Sequence, residues 1–229
     1  MSDLSQFSMS VAPSRYANPF ATCWTRPGAI PYRFPAGQST EHLLAILAAR
    51  HWRGAIVGPH GSGKSTLLEA LRPALVAANQ DIYSISLHDG QRWLPKDWRN
   101  EFAATPASGA LTEATREKKN RLVIIDGYEQ LTWLERVRLW NHCRRQGAGL
   151  LVTSHTPVRI PTLIRLAPDL PLVERLVAEL CAGVSTDITR ADISASHACH
   201  SSNVREILFD LYDRHEQRRR GSNSLPAAS

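Results

Sequence analysis

The order of apolar and polar positions divides the chain into an arm, a core, a helical lid and a tail. From Ser39-Thr40-Glu41 a helical period runs through Leu43, Leu44, Ile46 and Leu47, with Ser39 or Thr40 placed as N-cap ahead of the acidic Glu41. It feeds a short apolar run, Gly54-Ala55-Ile56-Val57, read as a buried strand, after which Thr66 to Leu71 returns to a helical pattern. Asp81 to Leu87 alternates apolar and polar residues and predicts a second strand. Leu122-Val123-Ile124-Ile125-Asp126 predicts a third, buried on both faces, followed by an amphipathic helix from Leu131 to Arg145 that carries Leu134, Val137, Leu139 and Trp140. Gly149 to Ser154 is the fourth strand and Thr162 to Leu166 the fifth.

Strands alternating with helices imply an α/β fold: a parallel sheet with helices on both faces. From about residue 170 to 220 the chain reads as entirely helical, with one stripe at Val173, Leu176, Val177 and Leu180 and another at Val204, Ile207, Leu208 and Leu211. Between the second and third strands, Trp93, Trp98 and Phe102 predict helical packing, and Thr105-Pro106-Ala107-Ser108-Gly109 a turn or mobile loop. The expected organisation is an extended, proline-rich arm at 1–38 packing on the core, a core at 39–168, an all-helical lid at 169–220 and a disordered tail at 221–229.

Composition narrows the classes. At 229 residues and 43% hydrophobic, the chain can bury one substantial core with a small appendage. It contains no apolar run of about 18 residues, and Met1 to Gln6 lacks a basic stretch leading into an apolar one; the expectation is a cytoplasmic protein without span or signal peptide. Cys23, Cys143, Cys181 and Cys199 form no C-x-x-C pair, which points to reduced structural thiols. His197-Ala198-Cys199-His200 lacks the second cluster that a metal site needs. A net charge of +6 and the run Arg218-Arg219-Arg220 permit a nucleic-acid partner without favouring one, because no basic stretch is interleaved with stacking aromatics.

The sharpest chemical signal lies between the first strand and its helix. Gly58-Pro59-His60-Gly61-Ser62-Gly63-Lys64-Ser65 is a complete G-x-x-x-x-G-K-S phosphate loop. Its glycines let backbone N–H groups converge on phosphate, the helix N-terminus adds favourable dipole charge, Lys64 neutralises phosphate, and Ser65 offers magnesium a hard oxygen. At an average glycine frequency of about 7%, a chance match in a chain this long is on the order of one in a hundred, and the flanking strand and helix lower it further.

Other motifs join this loop. Asp126 closes an apolar strand, where ligands bind in open parallel sheets, and resembles a Walker B aspartate. Glu129 is the nearest acid after it, because Gly127 stands where many AAA+ proteins carry glutamate. Thr153-Ser154-His155 resembles the sensor 1 position, and Ser202-Asn203-Val204-Arg205-Glu206-Ile207-Leu208 is similar to the G-N-V-R-E-L sensor 2 segment of AAA+ ATPases. On these motifs, over roughly residues 40 to 217, the chain resembles an AAA+-like P-loop ATPase.

The resemblance implies a P-loop NTPase core at 39–168, a C-terminal all-helical lid, and ATP and Mg2+ as cofactors. It implies catalytic roles for Lys64, Asp126, Glu129 and Arg205, and magnesium ligation by Ser65 and Asp126. Nucleotide contacts are expected from Gly58, Pro59, His60, Gly61, Ser62, Gly63, Lys64, Ser65, Thr66 and Ser154. The family acts as rings or dimers, so the implied partners are further copies of this chain and an unidentified protein on which the conformational change acts. Arg159 and Arg165 are candidates for an arginine finger, which stays unassigned. His155 also resembles the switch histidine of ABC-type ATPases, but the chain has no L-S-G-G-Q signature. Two alternatives stay open: Asp126-Gly127-Tyr128-Glu129 also resembles the Walker B stretch of STAND-type switches, which turn over rarely, and small-molecule phosphotransferases share the loop.

Overall fold

The computed structural model describes residues 18–26, 29–35, 37–104 and 120–223. Strands β1 (Arg53–Val57), β2 (Gln80–Ser86), β3 (Asn120–Asp126), β4 (Gly149–Ser154) and β5 (Thr162–Arg165) form one sheet in the order β2-β3-β4-β1-β5, with every neighbouring pair parallel. Helices α1 (Thr22–Thr25), α2 (Thr40–Ala49), α3 (Lys64–Ala77), α4 (Trp98–Ala104) and α5 (Trp133–Arg145) accompany it. Ser39 is the N-cap of α2, its hydroxyl accepting from the His42 amide at 3.1 Å.

Strand alternation divides the core into two layers. Ala55, Val57, Val123, Ile125, Leu150 and Val152 pack with Trp98, Phe102 and Leu139 of α4 and α5. Ile56, Leu122, Ile124 and Leu151 pack on the other face with Leu43 and Leu47 of α2 and with Leu67 and Leu71 of α3. Covering both faces is what makes the strands near-continuous apolar runs. The same parity carries Asp126, in step with Leu122 and Ile124, and Thr153, in step with Leu151, to the α3 face at the sheet's C-terminal edge.

Beyond the sheet, α6 (Leu170–Leu180), α7 (Arg190–His200) and α8 (Val204–Asn223) form the all-helical lid around Val173, Val177, Leu180, Ile193, Ile207 and Leu211. Asp169 caps α6, and Thr189 with Asp192 forms a capping box on α7. Asp192 also receives two hydrogen bonds from the Arg218 guanidinium of α8, each 2.8 Å, so one buried carboxylate ties together a helix start and its neighbour's last turns.

Three expectations end differently and one lies outside the described residues. The arm packs on more than the core: Phe20 is fully buried in the lid cluster and Asn18 Nδ2 donates to Glu216 Oε1 on α8, whereas Tyr32 and Phe34 lie against the core layer of α2 and α3. Trp93 is 60% exposed, because the helix begins only at Trp98 and burial falls to Leu94, Trp98 and Phe102. Helix α8 continues through Gly221 to Asn223 instead of yielding to a tail at 221; residues 224–229 lie outside the described residues. The loop expected at Thr105 to Gly109 also lies outside them.

Candidate functional site

The phosphate loop leaves the sheet beside β4, where the Gly58 amide donates to the Ser154 carbonyl at 3.1 Å. A side chain at 58 would come within 2.8 Å of the Leu166 carbonyl. Gly61 and Gly63 adopt φ of +64° and +92°, left-handed backbone that glycine reaches without steric cost. Helix α3 begins directly at Lys64, so its free N-terminal amides and positive dipole end line the loop's concavity. Lys64 Nζ donates to the carbonyls of Gly58 and Pro59, each at 2.7 Å, which holds the ammonium inside the loop. Burial lowers the Lys64 pKa, and the charges of Glu129 and Asp126 oppose that shift.

Asp126 is held from two sides. Ser65 Oγ donates to its Oδ2 at 2.7 Å and Thr153 Oγ1 to its Oδ1 at 2.5 Å, while Thr153 accepts from the Gly127 amide at 2.9 Å. Residues 61 positions apart thus present a hydroxyl and a carboxylate together, a donor set of hard oxygens that fits Mg2+. Ser154, by contrast, does not reach this cleft. It is fully buried on the opposite face of the sheet and its hydroxyl donates to the Thr156 carbonyl at 2.7 Å. Thr153 is the polar residue of β4 at the site, and strand parity with Leu151 was the signal that could have found it.

Glu129 sits in the 3-10 turn Tyr128–Gln130 that follows Gly127, whose φ is +88°. Arg136 of α5 fixes this turn, donating to the carbonyls of Glu129 at 2.7 Å and Leu131 at 3.0 Å. No local sequence pattern marks Arg136, since its role depends on α5 folding back over the turn. His155 Nε2 lies 2.6 Å from Glu129 Oε1, and the ring of His155 stacks on that of loop residue His60 with centroids 3.4 Å apart. Burial raises the Glu129 pKa, and burial with the charges of Lys64 and His60 pushes His155 down to about 4. Burial thus works against the charged form of each partner in this 2.6 Å contact.

The lid closes over the loop. Asn203, whose Oδ1 accepts from the Glu206 amide at 3.3 Å as N-cap of α8, lies so near Gly61 that a Cβ there would fall 1.8 Å from that oxygen. Arg205, two residues on, lines two adjoining clefts. One is polar and runs past His60, Lys64, Ser65, Asp126 and Glu129; the other is largely apolar, between Tyr32 of the arm and Leu172 and Leu176 of the lid. His60, Gly61, Lys64 and Ser65 thus line the polar cleft, Ser62, Gly63 and Thr66 the apolar one, and Gly58 and Pro59 contribute carbonyls to Lys64. Arg159 and Arg165 are exposed and line neither. Among the described residues, no group of three or more His, Cys, Asp or Glu could hold a metal ion, and no helix is long and apolar enough to cross a membrane.

No model of a known protein family matches the chain, and no curated protein sequence does. Solved structures do share its architecture. Cdc6p from Pyrobaculum aerophilum superposes with a TM-score of 0.56 at 16% identity, over 88% of this chain and 67% of that one. A DNA replication initiation factor gives 0.50 at 13% identity, over 85% and 68%. AMPPCP-bound DnaA from Aquifex aeolicus gives 0.47 at 14%, over 82% and 68%. At these identities the likeness of the first two is one of fold: a parallel-sheet P-loop NTPase core with a C-terminal all-helical lid.

Proposed function

We propose that the chain binds Mg·ATP between core and lid, hydrolyses it, and couples the hydrolysis to a conformational change in a partner, as an AAA+-like ATPase would. The observation that carries this reading is the Ser65–Asp126 hydrogen bond of 2.7 Å beside Lys64, under an arginine of the lid. In this reading the amides of 61–65 and Lys64 hold the phosphates, and Ser65 and Asp126 hold Mg2+, which when bound neutralises charge developing on the phosphoryl oxygens. Glu129 orients and deprotonates the attacking water, Thr153 keeps Asp126 in place, and Arg205 meets the γ-phosphate. The apolar cleft beside Tyr32 takes the base and ribose. Burial pushes the Tyr32 phenol up to about 12, so it stays a neutral donor there.

Steady-state turnover tests the reading against its alternatives. Magnesium-dependent phosphate release without any acceptor supports hydrolysis. Tight ATP binding with negligible release would favour a nucleotide-gated switch, and ADP formation only with a hydroxyl acceptor would favour a phosphotransferase. Lys64→Ala is the control, expected to abolish measurable nucleotide binding while leaving the thermal transition in place.

A further inference from the structure

We propose that His155, steadied by the loop residue His60, is the positioning residue that prepares Glu129 to act on water. The inference rests on the hydrolytic reading above and adds a residue to it. Three observations converge. The His155 Nε2 to Glu129 Oε1 contact of 2.6 Å engages one carboxylate oxygen only. The other oxygen, Oε2, is buried and has no hydrogen-bond partner, on a residue that lines the polar cleft. His155 Nδ1 is likewise buried and unpartnered, and the ring is fixed face to face against His60 at 3.4 Å.

This arrangement divides the work of the carboxylate. An imidazole N–H on Oε1 fixes the torsion of the Glu129 side chain and lowers its freedom to rotate, while Oε2 keeps its lone pairs for a proton from water. The stack against His60 supplies the ring orientation that Nδ1, lacking a partner, does not. Because His60 belongs to the phosphate loop, the pair also links the loop's conformation to the carboxylate. The groups that face the pair are Lys64 of α3, Asp89 after β2, Asp126 of β3 and Arg205 of α8. Burial is the main cause that holds the imidazole pKa down to about 4, with Lys64 and His60 adding to the shift and Asp89 and Asp126 opposing it.

Two measurements test this. In nucleotide-free protein carrying 15N-labelled histidine, His155 should appear as a neutral Nε2–H tautomer down to about pH 5, a reading based on burial beside cations, and Glu129→Ala should release it to a mixture of tautomers. In turnover at saturating Mg·ATP, His155→Ala should lower kcat about tenfold or more with ATP affinity within twofold. It should also move the acid limb of the kcat profile up by about one pH unit, as expected when a carboxylate loses one charge-assisted hydrogen bond. His155→Gln, which keeps an N–H donor, should recover most of both, and His60→Ala should give an intermediate loss. A His155 that titrates like an exposed imidazole, a His155→Ala protein with unchanged pH limb, or one that turns over faster than wild type overturns the proposal alone. A wild-type protein that binds ATP and releases no phosphate overturns the hydrolytic reading, and the proposal with it.

Discussion

Asp126 shows how much of the site one carboxylate organises, because Ser65 and Thr153 each donate to one of its oxygens. In Asp126→Asn the amide nitrogen can no longer accept, so one of the two hydroxyls loses its partner and the proposed Mg2+ would lose a negative ligand. Turnover should fall and its magnesium dependence flatten; an unchanged magnesium titration would remove Asp126 from the metal-organising role. Glu129→Gln should lower turnover by about a hundredfold or more while ATP still binds, the range typical of losing a general base. The raised Glu129 pKa adds a signed pH prediction: a base must be deprotonated, so the rate should start to fall on acidification above the range of an ordinary carboxylate. At this scale the phosphate loop, Asp126, Glu129 and Arg205 were legible as motifs. Within Thr153-Ser154-His155 the choice of Thr153 over Ser154 was not, because it needs strand parity read to the last residue, and Arg136 carried no mark, because it needs a helix folded back on a turn.

Among elements, the contact between Gly61 and Asn203 joins the loop to α8 at a point with no spare volume. Gly61→Ala would put a side chain on left-handed backbone and displace the α8 cap, at a combined cost of about 2 kcal/mol. Denaturant unfolding should show that loss, whereas Gly183→Ala, also at positive φ but with nothing within 4 Å of its would-be Cβ, should lose only the backbone part. The buried Asp192 makes the second element-scale prediction. Its hydrogen bonds from Arg218 hold its pKa well below the usual carboxylate range, so the stabilisation is present above the unfolded pKa near 4 and is lost as pH falls below it. Asp192→Asn should therefore cost about 2 kcal/mol at neutral pH, with the difference in Tm from wild type shrinking at pH 3. A difference that stays constant with pH would mean that packing, not charge, makes the contribution. The strands and most helices were readable from period alone. Trp93 misled because an aromatic before a helix start carries no phase, and the extension of α8 to Asn223 was hidden in a stretch of arginines of which Arg218 finds its partner, Asp192, 26 residues away.

For the whole molecule, core and lid meet at the loop, and the arm runs between them with Phe20 in one and Tyr32 and Phe34 at the other. That bridging was invisible in the sequence, since a proline-rich segment without period shows that it is extended but not what it touches. In the proposed function, ATP is held between these two bodies and the lid reads its γ-phosphate through Arg205. Calorimetric titration of wild type and Arg205→Ala with ATP and with ADP, both in magnesium, separates such a lid from one that only packs. Only an interaction stronger in one liganded state can bias the lid. A charge-assisted contact to the γ-phosphate predicts a loss of roughly ten- to a hundredfold in ATP affinity, with ADP affinity nearly unchanged. Equal, small changes for both nucleotides would contradict it, leaving a phosphate loop whose helical neighbour only packs.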